Sequence, residues 1–334
     1  MGLKYLKQII NEFIGNIGFN HSITHCYNHP YIHLIEITNR CNLNCIMCIR
    51  DVMTREKGFM ELELFKKIIK ENHKNMDFVY LQCYGEPLLH PYLSEFINYA
   101  NQYHVKTGMH TNGLTATEEI IKKLLNNNIS VIRFGLDSVI KKTYDKIRKG
   151  SDFDKVMVNI KNTIYLKKSL KSNVKIQIQL VIMNENKGEI EEFKKAWKGE
   201  EVEIIIINKI ERKFEFEYKR KNSCLYGWRS VVIQWNGDVV PCCNDWNGNL
   251  ILGNLKENTL KKIWNNEKYI QFRKQLIKGK IDFQPCMNCN MLEHIKPIKA
   301  YPFSKEVFKN IFHIIKPSGS QIENKNSLKG EKDE

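Results

Sequence analysis

From about residue 31 to residue 207, runs that read as strands alternate with runs that read as helices, and this order constrains the fold more than any other feature of the chain. The strand-like runs cover 31–38, 77–83, 104–110, 130–136, 174–183 and 202–207. Helical patterns fall near 61–74, 92–102, 117–127, 140–170 and 188–198. The last crossover aside, six repeats of strand then helix predict a parallel α/β sheet. Right-handed crossovers wrap such a chain either into an open doubly wound sheet or into a partial barrel, and periodicity does not choose between them.

Beyond residue 221 the texture changes. Runs at 229–235 and 238–241 flank Asn236–Gly237, a short-range hairpin signal, and a helix is expected near 257–278. The expected organisation is therefore a helical extension over 1–30, a core over 31–220, a small cysteine-bearing domain over 221–295 and an extension over 296–334. That last part is polar from about 317, and disorder is expected there. The first twenty residues carry a weakly amphipathic pattern (Leu6, Ile9, Ile10, Phe13, Ile14) without the apolar core or cleavage site of a signal peptide. No run approaches the roughly 20 apolar residues of a membrane span. A cytoplasmic protein with no membrane partner is the expectation.

Ten cysteines in a reducing compartment point to metal or redox chemistry rather than disulfides. The net charge of +15 comes from lysines scattered over most predicted helices, whereas an electrostatic footprint for nucleic acid requires clustering. A nucleic-acid partner is not expected. A small substrate, phosphorylated or nucleotide-linked, is compatible with the charge.

Cys41, Cys45 and Cys48 stand as Cys-x3-Cys-x2-Cys directly after the first strand. Three thiolates this close suit a cubane iron–sulfur cluster with one iron lacking a protein ligand. The alternatives are a zinc site completed by a histidine such as His73, or a chance cluster. Further polar signatures end successive strands: Gly85-Glu86-Pro87, Thr111-Asn112-Gly113, Leu136-Asp137-Ser138 and Asn184-Glu185-Asn186. In a parallel barrel that rim is where loops assemble an active site, although each signature alone reads as a turn.

The three-cysteine motif with its lead-in Ile-Glu-Ile-Thr-Asn-Arg resembles that of the radical S-adenosylmethionine (radical SAM) superfamily. The resemblance implies a partial (β/α)6 parallel barrel, with S-adenosylmethionine and a [4Fe-4S] cluster as cofactors. It also implies reductive cleavage of S-adenosylmethionine to a 5′-deoxyadenosyl radical, fed by an external donor such as flavodoxin or ferredoxin. By position, Met47 would lie against the adenine, and Gly85 and Glu86 would hold the cofactor ammonium. Ser138 and Asn186 would contact its ribose or carboxylate, unless they are helix caps. Tyr84 departs from the family, many members of which have glycine there. Cys83, at the strand end, reads as a small buried residue.

Cys224, Cys242, Cys243, Cys286 and Cys289 form a second set, Cys-x17-Cys-Cys around the hairpin and Cys-x2-Cys after the helix. Four thiolates would serve either zinc or an iron–sulfur cluster. The segment Trp-Asn-Gly-Asp-Val-Val-Pro-Cys-Cys, followed by Leu-Gly-Asn-Leu, resembles the SPASM/twitch extension of radical SAM enzymes, which implies an auxiliary [4Fe-4S] cluster. The expected ligands are Cys224, Cys242, Cys286 and Cys289, with Cys243 a spare or a substitute for Cys242. No cysteine follows Cys289, so one auxiliary cluster is expected. The resemblance thus implies a radical SAM oxidoreductase that removes two electrons from a sugar-like or cyclitol-like alcohol. Radical modification of a ribosomal peptide or protein side chain is the alternative, and a non-catalytic iron–sulfur or zinc binding protein is a third.

Overall fold

The strands of the first two hundred residues lie side by side in the order in which the chain makes them. In the computed structural model β1 (Tyr31–Ile35), β2 (Phe78–Tyr80), β3 (Lys106–Thr111), β4 (Val131–Gly135), β5 (Lys175–Ile182) and β6 (Glu203–Asn208) are parallel neighbours throughout. That order decides between the two architectures. A doubly wound sheet reverses its strand order partway, whereas an order that never reverses keeps every right-handed crossover on one side and curls the sheet into a barrel wall. Among the described residues the wall is partial, because β6 pairs with β5 alone.

The structure describes residues 3–208, 224–279, 281–284 and 286–289, all within one unit, Met1–Ile295. The polar segment from about 317 lies outside the described residues. Beyond β1 the sheet continues with β7 (Ser230–Ile233), parallel to β1, and then with β8 (Asp238–Val240) and β9 (Gly253–Asn254), each antiparallel to the strand before it. The expected hairpin is thus β7–β8. Its turn holds Gly237 at φ +92, a left-handed conformation that glycine adopts without strain.

Helices α2 (Leu62–Asn72), α3 (Leu93–Gln102) and α4 (Glu118–Asn126) cover the sheet with apolar faces, and Phe65 of α2 stacks on Phe96 of α3 at 4.3 Å. Helix α4 starts where the Thr117 side chain accepts a bond from the Ile120 amide, with Glu118 and Glu119 in the first turn favouring the positive end of the helix dipole. The single helical pattern expected over 140–170 is two helices, α5 (Lys141–Ile147) and α6 (Phe153–Ser169). Gly150 at φ +86 turns the chain between them, and Asp152 caps the second by accepting from the Lys155 amide. After α7 (Ile190–Ala196) and the short α8 (Tyr226–Arg229), the helix expected near 257–278 is likewise two. Asn266 ends the link from α9 (Leu260–Trp264) and caps α10 (Glu267–Lys278).

The amino-terminal helix α1 (Leu3–Asn20) is not held by its apolar stripe alone, since Ile9 and Ile10 are exposed. It packs with Gly15 and Gly18 against Trp228 of α8, so closely that a methyl on Gly15 would meet the Trp228 carbonyl at 2.9 Å. Fully buried Arg273 of α10 donates to the carbonyls of Gly227 and Thr24, both at 2.8 Å, and its guanidinium lies 4.4 Å from the rings of Trp264 and Tyr269. Among the described residues no helix is long and apolar enough to cross a membrane.

Candidate active site

The lead-in to the first cysteines acts as a clamp. Glu36, with no exposed side-chain surface, pairs with Arg55 at 2.5 Å; Thr38 Oγ1 donates to the Gly58 carbonyl at 2.7 Å; Asn39 donates to the Glu56 carbonyl and accepts from the Gly58 amide. The three side chains leaving β1 therefore fix the far end of the cysteine loop. Between the two ends, Cys41, Cys45 and Cys48 line one cavity of about 420 Å³ together with Met47, Gly85 and Glu86.

Gly85 has no room for a side chain. A Cβ there would stand 2.2 Å from the Thr38 carbonyl oxygen and 2.8 Å from that of Arg40, so the loop after β2 lies directly on the segment that delivers Cys41. Next to it the Glu86 amide donates to the Arg40 carbonyl at 2.8 Å. The Glu86 carboxylate is 2% exposed and accepts from Thr111 Oγ1 (2.7 Å), the Asn112 amide (2.7 Å) and the Leu88 amide (3.0 Å). Burial raises its pKa, against the pull of these three bonds. Among the described residues no basic side chain stands within ion-pair distance of it.

The end of β4 supplies a second carboxylate, Asp137, which holds the cation Arg148 in place. Asp137 takes a left-handed backbone, φ +68, unusual for a side-chain-bearing residue, and this turns its carboxylate onto Arg148 at 2.6 and 2.8 Å and onto the Val181 amide. Burial opposes the Arg148 charge, but Asp137 and Cys45 more than offset it and the guanidinium pKa is raised. Arg148 in turn donates to Cys45 Sγ at 3.8 Å. Burial pushes the thiols of Cys41 and Cys45 up, while Arg148 pulls that of Cys45 down. Thiols raised in this way release their protons against a metal cation.

The structure does not bring Ser138 and Asn186 into the cavity. Ser138 Oγ accepts from the Ile140 amide and donates to Glu189, and Asn186 bonds the Asp137 and Val181 carbonyls and the Met183 amide. Their short side chains are consumed in shaping the turns after β4 and β5. His73 is bonded to the Lys70 carbonyl and does not line the cavity. Cys83, read as a small buried residue, is half-buried and does line it. Arg148, Arg133, His110 and Gln179 also line it and were not singled out in the sequence. For Arg148 a signal was present, an arginine shortly before the Gly150 turn; inward-pointing residues of β3 to β5 give none beyond alternation.

The second cysteines gather behind β8. Cys242 lies within electrostatic reach of Cys243, Cys286 and Cys224, and its pKa is raised well above the ordinary thiol range, first by burial and then by those neighbours. Asn244 donates to Cys289 Sγ at 3.9 Å. Asp245 accepts the Asn249 and Leu250 amides and curls the following loop, which Arg55 ties to the first cysteine loop by donating to the Trp246 carbonyl. Among the described residues no three of these side chains close on a single point as one ion would need.

Comparison with known proteins gives the same two parts. The profile of the Radical SAM superfamily matches residues 35–196, and that of the SPASM iron-sulfur cluster-binding domain matches residues 224–290. A tungsten-containing aldehyde ferredoxin oxidoreductase cofactor-modifying protein of Pyrococcus furiosus is 25% identical over 327 residues, covering 81% of this chain and 90% of its own. The S-adenosyl-L-methionine-dependent 2-deoxy-scyllo-inosamine dehydrogenase of Niallia circulans is 28% identical over 269 residues, covering 77% and 91%. Among solved structures, BtrN in complex with AdoMet and 2-DOIA shares the fold, with a TM-score of 0.52 and 20% identity over 78% of this chain and 93% of that one. With both cysteine sets inside the matched segments, the chain belongs to the radical SAM superfamily, in its SPASM-containing branch, and takes that branch's cofactors, S-adenosylmethionine and iron–sulfur clusters.

Proposed function

We propose that this radical SAM enzyme oxidises an alcohol of a sugar-like or cyclitol-like small molecule. One observation carries the reading: three thiols and a buried carboxylate with no ion-pair partner among the described residues share a cavity, and Tyr84 of its wall donates to the Cys243 carbonyl. When bound, S-adenosylmethionine and the first cluster supply a 5′-deoxyadenosyl radical for hydrogen abstraction, and an auxiliary cluster supplies an acceptor for the remaining electron.

The chain's own residues prepare this chemistry. Cys41, Cys45 and Cys48 would ligate the first cluster. Glu86, fixed by Thr111 and Asn112, would accept the cofactor ammonium as a charge-assisted hydrogen bond, while Gly85 lets the backbone come close and Met47 lines the same cavity. Arg148 offsets the negative charge that accumulates at Cys45. Cys224, Cys242, Cys286 and Cys289 would hold one auxiliary cluster, with Cys243 able to stand in for Cys242. Four thiolates leave no iron open, which favours electron transfer over substrate ligation. The similarity to the 2-deoxy-scyllo-inosamine dehydrogenase along 91% of that protein supports the alcohol as the reacting group. A reducing compartment such as the cytoplasm, and a flavodoxin or ferredoxin as donor, belong to the same reading.

The test is anaerobic reconstitution, chemical reduction and detection of 5′-deoxyadenosine. Replacing Cys41, Cys45 and Cys48 together by alanine should abolish its formation, and unchanged cleavage would sink the assignment. On a panel of aminocyclitols and sugars, a ketone product should appear. Turnover confined to a precursor peptide would move the enzyme to peptide modification.

A further inference from the structure

Three of the arginines at or beside the cavity are held differently. Arg148 is paired with Asp137 and Arg55 with Glu36, but among the described residues Arg133, on the inner face of β4, meets only neutral groups. Its Nε donates to Gln177 Oε1 at 2.7 Å, Nη1 to Gln179 Oε1 at 3.3 Å and Nη2 to the Tyr80 hydroxyl at 3.4 Å, with the guanidinium 5.8 Å from the Tyr80 ring. Among the described residues no carboxylate stands within ion-pair distance of it. A guanidinium carries five N–H donors, so these bonds leave two for a ligand. A half-buried charge without a counter-ion is costly, and the remedy is an anion from outside.

The surroundings favour the same visitor. His110 is the register partner of Arg133 on β3, and its Nε2 is buried without a hydrogen-bond partner among the described residues. Burial, reinforced by Arg133, lowers its pKa to about 3, so the imidazole is neutral and can donate or accept one bond. Arg133, His110 and Gln179 line the same cavity as Cys41 and Glu86. Glu86 offers negative charge to a cationic cofactor, and Arg133 offers positive charge elsewhere in the same space.

We infer that Arg133, with His110 and Gln179, forms the subsite that takes an oxyanion of the substrate, a phosphate ester or a carboxylate. This inference rests on the proposed function and narrows it to acidic or phosphorylated small molecules. The oxyanion occupies the two remaining guanidinium donors, and the His110 ring meets an oxygen of the same group or the neighbouring hydroxyl. Tyr80, which packs with Cys83 and Cys243 around Leu34, Val232 and Val240, sets this end of the cavity toward the second cysteine set. A substrate anchored here would lie between the two cofactor regions.

The test uses the reconstituted full chain with saturating S-adenosylmethionine, inorganic phosphate and acetate as probes, and sodium chloride to hold ionic strength constant. Thermal melting is the readout. At least one probe should give the parent a saturable rise of roughly 2–4 °C. Phosphate acting alone indicates a phosphate ester, and acetate acting alone a carboxylate. Arg133→Gln should lose the rise and Arg133→Lys keep part of it. Gln179→Glu provides a second route, because it keeps the bond to Arg133 while placing an internal anion on it, so the response should also disappear. No rise in the parent, an equal rise in Arg133→Gln, or an undiminished rise in Gln179→Glu would overturn the inference. So would a phosphate response that exists only without S-adenosylmethionine, since Arg133 would then serve the cofactor. Formation of 5′-deoxyadenosine by the parent without a probe decides the proposed function separately.

Discussion

The phenol of Tyr84 donates a hydrogen bond to the backbone carbonyl of Cys243, 159 residues away in the chain. One side chain thus lines the cavity of the first cysteines and touches the loop of the second set. Tyr84→Phe keeps the ring and loses the bond, and should cost about 1 kcal/mol of stability in urea unfolding. Unfolding identical to that of the parent would show that the bond contributes nothing.

Gly85→Ala is expected to be the more damaging change in the same loop. A methyl 2.2 Å from the Thr38 carbonyl oxygen forces apart two backbones, neither of which is a flexible side-chain end. Overpacking of this kind costs about 1–3 kcal/mol. Denaturation should register the loss, and iron bound at the first site should fall with it; a stable variant with full iron would mean the loop yields freely.

Glu86→Gln preserves size and removes the charge. Cofactor affinity, measured by equilibrium binding to the reconstituted protein, should weaken by about 1.5–3 kcal/mol, the worth of a hydrogen bond to a charged group. Equal affinity in both proteins would take Glu86 out of the cofactor site.

Metal content separates the two cysteine sets. If each holds a four-iron cluster, the parent should bind about eight irons and the Cys41/Cys45/Cys48 triple alanine variant about four. One zinc and no iron in that variant would identify a structural metal behind β8 and remove the electron acceptor on which the oxidation depends.

Acid should weaken the fold through His90. Its Nε2 meets the Met60 carbonyl at 3.1 Å and its Nδ1 accepts the Tyr92 amide, and burial lowers its pKa to about 4. The folded pKa lies below that of the unfolded chain, so the unfolded state binds the proton first. The contribution of His90 is therefore present above about pH 6.5 and is lost as pH falls toward 4. His90→Gln should flatten the fall in stability over that interval in denaturation curves, and a slope equal to that of the parent would assign the acid sensitivity to other groups.

The sequence alone determined what is local or counted along the chain. Six strand–helix repeats, Cys-x3-Cys-x2-Cys, the Gly85-Glu86-Pro87 turn and the Asn236–Gly237 hairpin each depend on residues within a few positions of one another, and each was legible. Helix breaks at Gly150 and Asn266 were local too, but were hidden inside apolar patterns that continue on either side. Strand order was decided only by tertiary structure, because nothing in a repeat says which neighbour it will pair with. The same holds for the cavity wall. Arg133, His110 and Gln179 look like ordinary alternating strand residues until β3, β4 and β5 are placed in register. Burial then turns them from solvated side chains into the polar lining of one space. Ser138 and Asn186 illustrate the converse, since the composition that suits a cofactor contact also suits a turn, and folding set them to the turn.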